Sequence, residues 1–376
     1  MATHQAALIP SKGQPFIIDT RPTPQPGPNE VVISVAAIAM NPVDYFQRDM
    51  GFFITNYPAI IGSDVSGTID AVGSSVSTPG FKKGARVLAF ASSFYHQGEP
   101  NANDYAAFQA KVLVPVEYVA VIPDNLSFVD AATVPMAVGV AWNGWTIIGL
   151  DFSTHFSSSE KRGVVVWGAA SSMGVAAVQT AAEALGFTVY VTASPKNFEY
   201  LQSLGAAKCF DYKDPDVVSK IVDAAKADGI TLKTIFRAAG DRGGSDLPAQ
   251  VDVVSAFGGG SIASAVGPLT PENTPQAEGV DIKFIVGPSD PQDRAKQMTT
   301  IFHEWLTPRL ASGEFVPGPK ARVVGKGLGD LNKALDILKG GKRTWWNVRD
   351  VGKWIEDRPD DRTEVRYLEG EGSAAR

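Results

Sequence analysis

Residues 168–174 read GAASSMG and have the outline of a turn built to hold a phosphate. They follow the apolar run VVVW and lead into VAAVQTAAEAL, whose near face is small: Val175, Ala177, Val178 and Ala181. In a dinucleotide-binding turn the first glycine permits a tight reversal, and the later one lets helix and strand pack closely. Backbone amides at the helix start then meet a pyrophosphate, helped by the positive end of the helix. Gly168, Ser171, Ser172, Met173 and Gly174 are therefore candidate cofactor contacts. The serines keep Cβ atoms that restrict the backbone, but their hydroxyls can donate to phosphate oxygens. A merely structural turn is the competing reading.

The next apolar run helps to choose the nucleotide. A site selective for NAD places Asp or Glu at the end of that strand, to accept the ribose hydroxyls. Here the segment reads VYVTASPKN, with no carboxylate before Glu199. Thr192, Ser194, Lys196 and Asn197 supply donors or positive charge instead, and Tyr212 in DYKD adds another donor. A 2′-phosphate is repelled by an acid and welcomed by this set. The pattern favours NADPH over NADH, although Lys196 also reads as a solvated lysine at a helix start.

These residues need a scaffold, and the chain changes its grammar to provide one. The first third holds short β-branched or apolar runs: EVVISVAAIAM (30–40), GTIDAVG (67–73), ARVLAF (85–90) and VLVPVEYVAVIP (112–123). Turn material such as TPQPGPNE, STPGFKKG and HQGEPNAND separates them, which predicts a small, mainly antiparallel β domain. Near Leu126 a helical region begins, with Ser127 and Asp130 spaced as a capping box. From Gly163 strands alternate with helices. The expected strands are VVVW, FTVYVTA, KCFDY, LKTIFRA, VDVVSAF and VDIKFIV; the expected helices are GVAAVQTAAEAL, NFEYLQSLG and PDVVSKIVDAAKADG. Apolar strands separated by helices predict a parallel sheet covered on both faces. A longer helical stretch follows Pro291, and LGDLNKALDILKGGK places Leu331, Ala334, Leu335 and Leu338 on one helical face.

Composition narrows the class. A chain of 376 residues favours two domains. A net charge of -6 gives no basic surface to attract nucleic acid or anionic membrane. Cys209 is the single cysteine, so no intrachain disulfide or cysteine-cluster metal site can form, and a buried, idle thiol is expected. The N-terminus has no basic segment followed by a long apolar run, and no stretch approaches a membrane span. A cytoplasmic enzyme is the expectation.

Taken together, the chain resembles the medium-chain dehydrogenase/reductase superfamily, in its zinc-independent quinone oxidoreductase and enoyl reductase branches. The resemblance rests on NPVDY (41–45), GSDVSGTIDAVGS (62–74), FKKGARVLAF, AAFQAKVLVP, AATVP, GAASSMGVAAVQTAAEALG and LGAAKCFDYKD, in family order over roughly residues 6 to 340. It is most similar to fungal trans-acting enoyl reductases that serve polyketide assembly. The resemblance implies an α/β architecture: a GroES-like, β-rich catalytic domain plus a Rossmann-type parallel-sheet cofactor domain. Residues 1–128 and 301–358 would form the catalytic domain, 129–300 the NADP(H)-binding domain, and 359–376 a flexible tail.

It also implies that Asn41, Asp44 and Tyr45 lie between the two domains. Tyr45 can donate a hydrogen bond to a developing enolate oxygen, or serve as an aromatic plug; Asn41 can act there or cap a turn with Pro42. Zinc alcohol dehydrogenases carry cysteine and histidine where this chain has Asn41 and Ser63. With one Cys and four scattered His, the chain lacks the ligands zinc takes, so no metal is expected. Asp44, Asp64 and His96 are a weak metal trio, better read as structural. Two positions depart from the relatives: Phe46 stands where they often carry lysine, so the chain would manage without it or use Gln47, Arg48 or another side chain, and Arg237 stands where they tend to carry Asp. Trp142 and Trp145 read as packing residues. The implied reaction is hydride transfer from NADPH to the activated C=C of an enone or enoyl thioester. Reduction of a quinone, or a non-catalytic NADPH-binding sensor or scaffold, are the alternatives. A carrier protein or polyketide synthase is a possible partner; no nucleic acid or membrane is expected, and the chain would be a monomer or homodimer.

Overall fold

The computed structural model describes residues 2–91 and 93–340, together with the backbone of the strand Trp346–Arg349. The tail expected at 359–376 lies outside the described residues, as does part of the segment 301–358.

Two sheets organise the chain. One has six parallel strands in the spatial order Ala206–Asp211, Thr188–Ala193, Arg162–Trp167, Thr231–Arg237, Gly260–Ser264, Val280–Phe284. The chain winds outward from Arg162–Trp167 in one direction, then restarts beside it at Thr231–Arg237 and winds the other way. That reversal opens a crevice at the strand ends, where open α/β sheets bind ligands. The other sheet orders Arg322–Lys326, Trp346–Arg349, Glu30–Ala39, Asp64–Val72, Arg86–Phe90 and Val119–Val121, with Lys111–Pro115 also on Glu30–Ala39. Its pairings among the N-terminal strands are antiparallel. Thr3–Leu8 and Ile17–Pro22 pair as a separate antiparallel hairpin, with an isolated bridge from Ala6 to Gln109. Among the described residues no helix is long and apolar enough to cross a membrane.

The helix Pro135–Ile147 joins the two halves. Trp142 and Trp145 are its largest fully buried side chains, and Trp145 Nε1 donates to Thr180 Oγ1 at 2.9 Å. Trp142 packs against Phe152 and Trp305. Both tryptophans are packing residues. Ser127 caps the preceding helix Phe128–Ala131 by accepting from the Asp130 amide at 3.0 Å. The reciprocal half differs from a capping box, because the Ser127 hydroxyl itself donates to the Asp130 carboxylate at 2.6 Å.

Three expectations need correction. VDVVSAF is not a strand: it lies mostly in the helix Leu247–Ser255, and the fifth strand is Gly260–Ser264. Leu247, Gln250, Val251 and Val254 are buried at helical spacing, so a wider window outweighs the β-branched run. VLVPVEYVAVIP is two strands separated by the 3₁₀ turn Val116–Tyr118. Cys209 is half-buried rather than fully buried; its Sγ donates to the Phe198 carbonyl at 3.7 Å, and burial raises its pKa, which leaves it a poor nucleophile.

Candidate active site

The loop after Arg162–Trp167 opens at the crevice, and each of its residues has a defined job. Gly168 has φ +77, and a Cβ there would meet Ala239 Cβ at 2.7 Å. Its amide donates to Thr192 Oγ1 at 3.0 Å, while the Ala169 amide donates to the Thr192 carbonyl at 3.0 Å. Thr192 is fully buried, so its hydroxyl secures the loop instead of facing a phosphate. Ser171 caps the helix Ser172–Gln179: its Oγ accepts from the Gly174 amide at 3.1 Å and donates to the Gly168 carbonyl at 2.9 Å. That hydroxyl is spent on the turn, which corrects the expectation that it donates to phosphate. At Gly174 a Cβ would lie 2.6 Å from both Cα and O of Ala169, so only glycine allows the helix to approach the loop this closely.

What remains is a cradle. A helix leaves its first amides without intrahelical partners. Gly174 and Val175 are satisfied by Ser171 Oγ and Ser171 O, and among the described residues the amides of Ser172 and Met173 have no partner, which leaves them for a ligand. Backbone donors above a side-chain-free glycine fit a pyrophosphate.

The residues expected to select the nucleotide come together at the ends of two neighbouring strands. Ala193 stands opposite Asp211 in the parallel pairing, so Ser194 and Tyr212 leave the sheet side by side. Ser194 and Asn197 are half-buried, and Lys196 and Tyr212 are exposed. The Asp211 carboxylate accepts from the Lys213 amide at 3.0 Å.

The second half of the site is built on a helix that hydrophobic periodicity hides. Pro42–Met50 starts with Asn41 at the N-cap and stops at Gly51, φ +70. Its buried residues are Asp44, Gln47 and Arg48, polar side chains at i, i+3 and i+4. The Asn41 amide donates to Asp44 Oδ2 at 2.7 Å, and Asn41 Nδ2 donates to Asp64 Oδ2 at 3.0 Å. Asp64 Oδ1 accepts from the Met136 amide at 2.8 Å, tying the helix Pro135–Ile147 to the same cluster. Burial pushes the Asp64 carboxyl up to about 7, partly opposed by the Asn41 and Met136 donors. Burial also raises Asp44 well above the usual carboxylate range, opposed by the Asn41 amide and reinforced by the nearby Asp64. Asp44 is fully buried, so it fixes Asn41 and the helix start rather than contacting a substrate. Tyr45 is half-buried against Phe46, ring centroids 4.3 Å apart; among the described residues its hydroxyl has no hydrogen-bond partner.

Neither proposed substitute for lysine is available. Gln47 is buried, and Arg48 pairs with Asp49 at 2.7 Å and Asp336 at 2.6 Å, clamping the helix to Leu331–Lys339. Phe46 instead carries the guanidinium of Arg242, 4.1 Å from its ring centroid. Sequence reasoning missed Arg242. It sits in the loop after Thr231–Arg237, which the buried Arg237 pins through Asp246 (2.9 Å from Nε) and the Asp241 carbonyl. Arg237 is thus a loop anchor. His96 bonds Glu99 and stacks on Tyr105, and among the described residues no group of three His, Cys, Asp or Glu is placed to hold a metal. Two surface cavities, about 290 and 410 Å³, are lined by residues 54–60 with 97–103 and by 243–248 with 271–276; neither lining includes Asn41, Tyr45 or the glycine loop.

Residues 27–124 match the alcohol dehydrogenase GroES-like domain. A trans-enoyl reductase of Aspergillus flavipes is 43% identical over 341 residues, covering 90% of this chain and 96% of the relative. The chain belongs to the medium-chain dehydrogenase/reductase superfamily. A trans-enoyl reductase of Aspergillus terreus is 46% identical over 288 residues, 75% of this chain and 92% of its own. An alcohol dehydrogenase superfamily protein from Novosphingobium aromaticivorans shares the fold, with TM-score 0.71 at 20% identity over 92% of this chain and 99% of its own. Membership in this superfamily of oxidoreductases accounts for the union of a GroES-like sheet with a Rossmann-like one.

Proposed function

We propose that this medium-chain reductase is an NADPH-dependent, zinc-independent enoyl reductase. The observation that carries the proposal is the cradle of residues 168–174: two free amides and a glycine with no room for a side chain, at the point where the parallel sheet reverses its winding. The similarity to two trans-enoyl reductases selects the reaction. The resulting division of the chain is 1–128 and 301–358 around 129–300, supported by Arg322–Lys326 and Trp346–Arg349 joining the N-terminal sheet.

The amides of Ser172 and Met173 would hold the pyrophosphate, with Ser194, Lys196, Asn197 and Tyr212 around the adenosine 2′-phosphate. When bound there, the cofactor would supply the chemistry of hydride donation to the β-carbon of an α,β-unsaturated carbonyl. Tyr45 offers an uncommitted hydroxyl to the enolate oxygen, where a preorganised donor stabilises developing charge. The Asn41–Asp44–Asp64 network holds the helix start that presents Tyr45. Zinc independence rests on side-chain chemistry: the Asn41 side-chain amide is bonded to Asp64, and among the described residues no group of three His, Cys, Asp or Glu is placed to hold a metal.

The test is NADPH oxidation with a 2-enoyl thioester and a quinone, on protein treated with a chelator. Turnover of the thioester to its saturated product, slowed in Tyr45→Phe with unchanged NADPH affinity, is the expected result. Turnover of the quinone alone would replace the reading with quinone reduction. Tight NADPH binding without turnover of either would make the protein a sensor or scaffold, and loss of activity with one bound zinc per chain would restore the metal.

A further inference from the structure

The four arginines stacked most closely on aromatic rings among the described residues are Arg86, Arg242, Arg294 and Arg309. Their guanidinium carbons lie 4.1, 4.1, 3.9 and 4.9 Å from the ring centroids of Phe128, Phe46, Tyr95 and Trp305. Three of the four also spend N–H groups on the fold. Arg86 donates to the Leu126 carbonyl, Arg294 to the Pro288 carbonyl at 3.0 Å and the Tyr118 hydroxyl at 3.3 Å, and Arg309 to the Trp305 carbonyl at 3.1 Å. Arg242 is the exception. It is exposed, and among the described residues its guanidinium makes no hydrogen bond or ion pair. Stacking on Phe46 fixes the plane of its fork and leaves every N–H donor for a ligand.

The backbone beneath that free tip is tightly held. The Asp241 amide donates to Asp246 Oδ1 at 3.0 Å, the Gly244 amide to the Asp241 carbonyl at 3.0 Å, and Asn273 Nδ2 to the Arg242 carbonyl at 3.5 Å. The Asp241 carboxylate, the acid next to Arg242 in sequence, accepts from the Ser245 amide at 3.3 Å instead. At its base the same loop abuts the cradle. The Ala238 and Ala239 amides both donate to the Trp167 carbonyl, at 2.9 and 3.3 Å, and Ala239 is the residue that a Cβ at Gly168 would strike. From Ala239 to Arg242 the chain can span at most about 11 Å. Arg242 therefore reaches from the edge of the cradle to the helix Pro42–Met50, onto the residue next to Tyr45.

We infer that Arg242 is a clamp for the diphosphate of the dinucleotide, with Phe46 as its seat. The inference rests on the NADPH reading and deepens it by naming a cation that binds the part NADPH and NADH share. An uncommitted guanidinium fork and two uncommitted helix-start amides, on neighbouring loops, form a donor set for phosphate oxygens. A rigid base under the side chain lowers the ordering cost of binding. Relatives often carry lysine at the position of Phe46; here a cation meets that position from the parallel-sheet side.

Fluorescence titration of NADPH and NADH, with calorimetry of ADP-ribose, tests this on the full-length protein without turnover. Arg242→Ala should weaken all three by at least about tenfold, as expected for a lost charge-assisted hydrogen bond, and keep the NADPH/NADH ratio and the melting midpoint of the free protein. Raising KCl to about 0.5 M should narrow the gap between variant and wild type, because exposed charges are screened. Phe46→Leu should cost about threefold alone and nothing further in the Arg242→Ala background, the mark of a side chain that acts through the arginine. Unchanged affinity for all three ligands in Arg242→Ala overturns the inference. So does a loss confined to NADPH, which would put the guanidinium at the 2′-phosphate, or one confined to NADPH and NADH, which would put it at the nicotinamide end. With saturating NADP⁺, butanoyl coenzyme A and the butanoyl N-acetylcysteamine thioester should each bind Arg242→Ala as they bind wild type. Selective loss of the coenzyme A ester, at constant dinucleotide affinity, would move the phosphate to the substrate and overturn the clamp. Loss of NADPH binding in Gly174→Val but not in Arg242→Ala would leave the cradle and remove the clamp; full binding in both would remove both. A dinucleotide affinity that depends on Arg242 in a protein that reduces no enoyl thioester would leave the clamp standing and remove the enoyl-reductase reading instead.

Discussion

The glycine loop and the Asn41 cluster are two halves of one candidate site, yet they are held by different physics. The loop is local and steric. Its bonds link residues 168, 169, 171, 174 and 192, and its two glycines are required because backbone or Cβ atoms occupy the space a side chain would need. The cluster is non-local and electrostatic. Residues 41, 44, 64 and 136 converge from two helices and a strand, and buried carboxyls dominate it. The first half should therefore break through bulk and be indifferent to pH. The second should tolerate isosteric change and respond to pH.

The largest effect belongs to the loop. Gly174→Val forces a branched side chain into the Ala169 backbone, where even a Cβ has 2.6 Å. Overpacking of this kind costs about 1–3 kcal/mol or more, and here the helix start must also move away from its ligand. Loss of NADPH binding by fluorescence titration, with a lowered thermal midpoint, is the expected outcome. A variant that melts and binds NADPH like wild type would remove the loop from the site.

The cluster offers the contrasting test. Because burial raises Asp64 to about 7, the folded state binds more protons than the unfolded state between the ordinary carboxylate value and about pH 7. Stability contributed by this group is full below that window and is lost as pH rises through it. Asp64→Asn cannot titrate. Denaturation at pH 5 and pH 8 should therefore show wild type losing stability relative to Asp64→Asn on going to pH 8. The opposite slope would mean that the Asn41 and Met136 donors outweigh desolvation and hold the carboxylate ionised.

The same contrast explains what could be read in advance. Gly168, Ser171 and Gly174 lie within seven residues, flanked by a strand and a helix with ordinary periodicity, so their placement was legible. The helix Pro42–Met50 was not, because the side chains it buries are Asp44, Gln47 and Arg48, the reverse of an amphipathic pattern. Its signals were in the punctuation: Asn41, Pro42 and Asp44 at the start and Gly51 at the end. Thr192 was read as a cofactor donor because alternation within a strand does not tell which hydroxyl points under the neighbouring loop. Arg242 over Phe46 joins residues nearly two hundred positions apart, and no local pattern records such a contact.

A smaller effect bears on the nucleotide. Ser194 and Tyr212 leave adjacent strand ends together, with exposed Lys196 just after Ser194 and exposed Lys213 just after Tyr212. Lys196→Ala should reduce the preference for NADPH over NADH by about tenfold, the scale of one charge-assisted hydrogen bond, and leave the melting curve in place. Equal loss of affinity for both cofactors would assign Lys196 to the shared diphosphate and leave the choice of nucleotide to Ser194 and Tyr212.

The smallest effects separate the two serines. Ser171 Oγ is engaged twice inside the loop, as acceptor from the Gly174 amide and donor to the Gly168 carbonyl. Replacing a capping serine by alanine costs about 1 kcal/mol, and the loss falls on the folded loop whether or not cofactor is present. Ser172 is buried at the first helical position, and its hydroxyl makes no intrachain hydrogen bond among the described residues. Ser171→Ala should therefore lower the thermal midpoint of the free protein and weaken NADPH only modestly, whereas Ser172→Ala should leave the free protein's midpoint near wild type and act on NADPH affinity alone. Thermal melts with and without NADPH read both quantities. If the two variants exchanged these signatures, the hydroxyl that meets the phosphate would be Ser171, and the cap seen in the free loop would have to open when the cofactor binds.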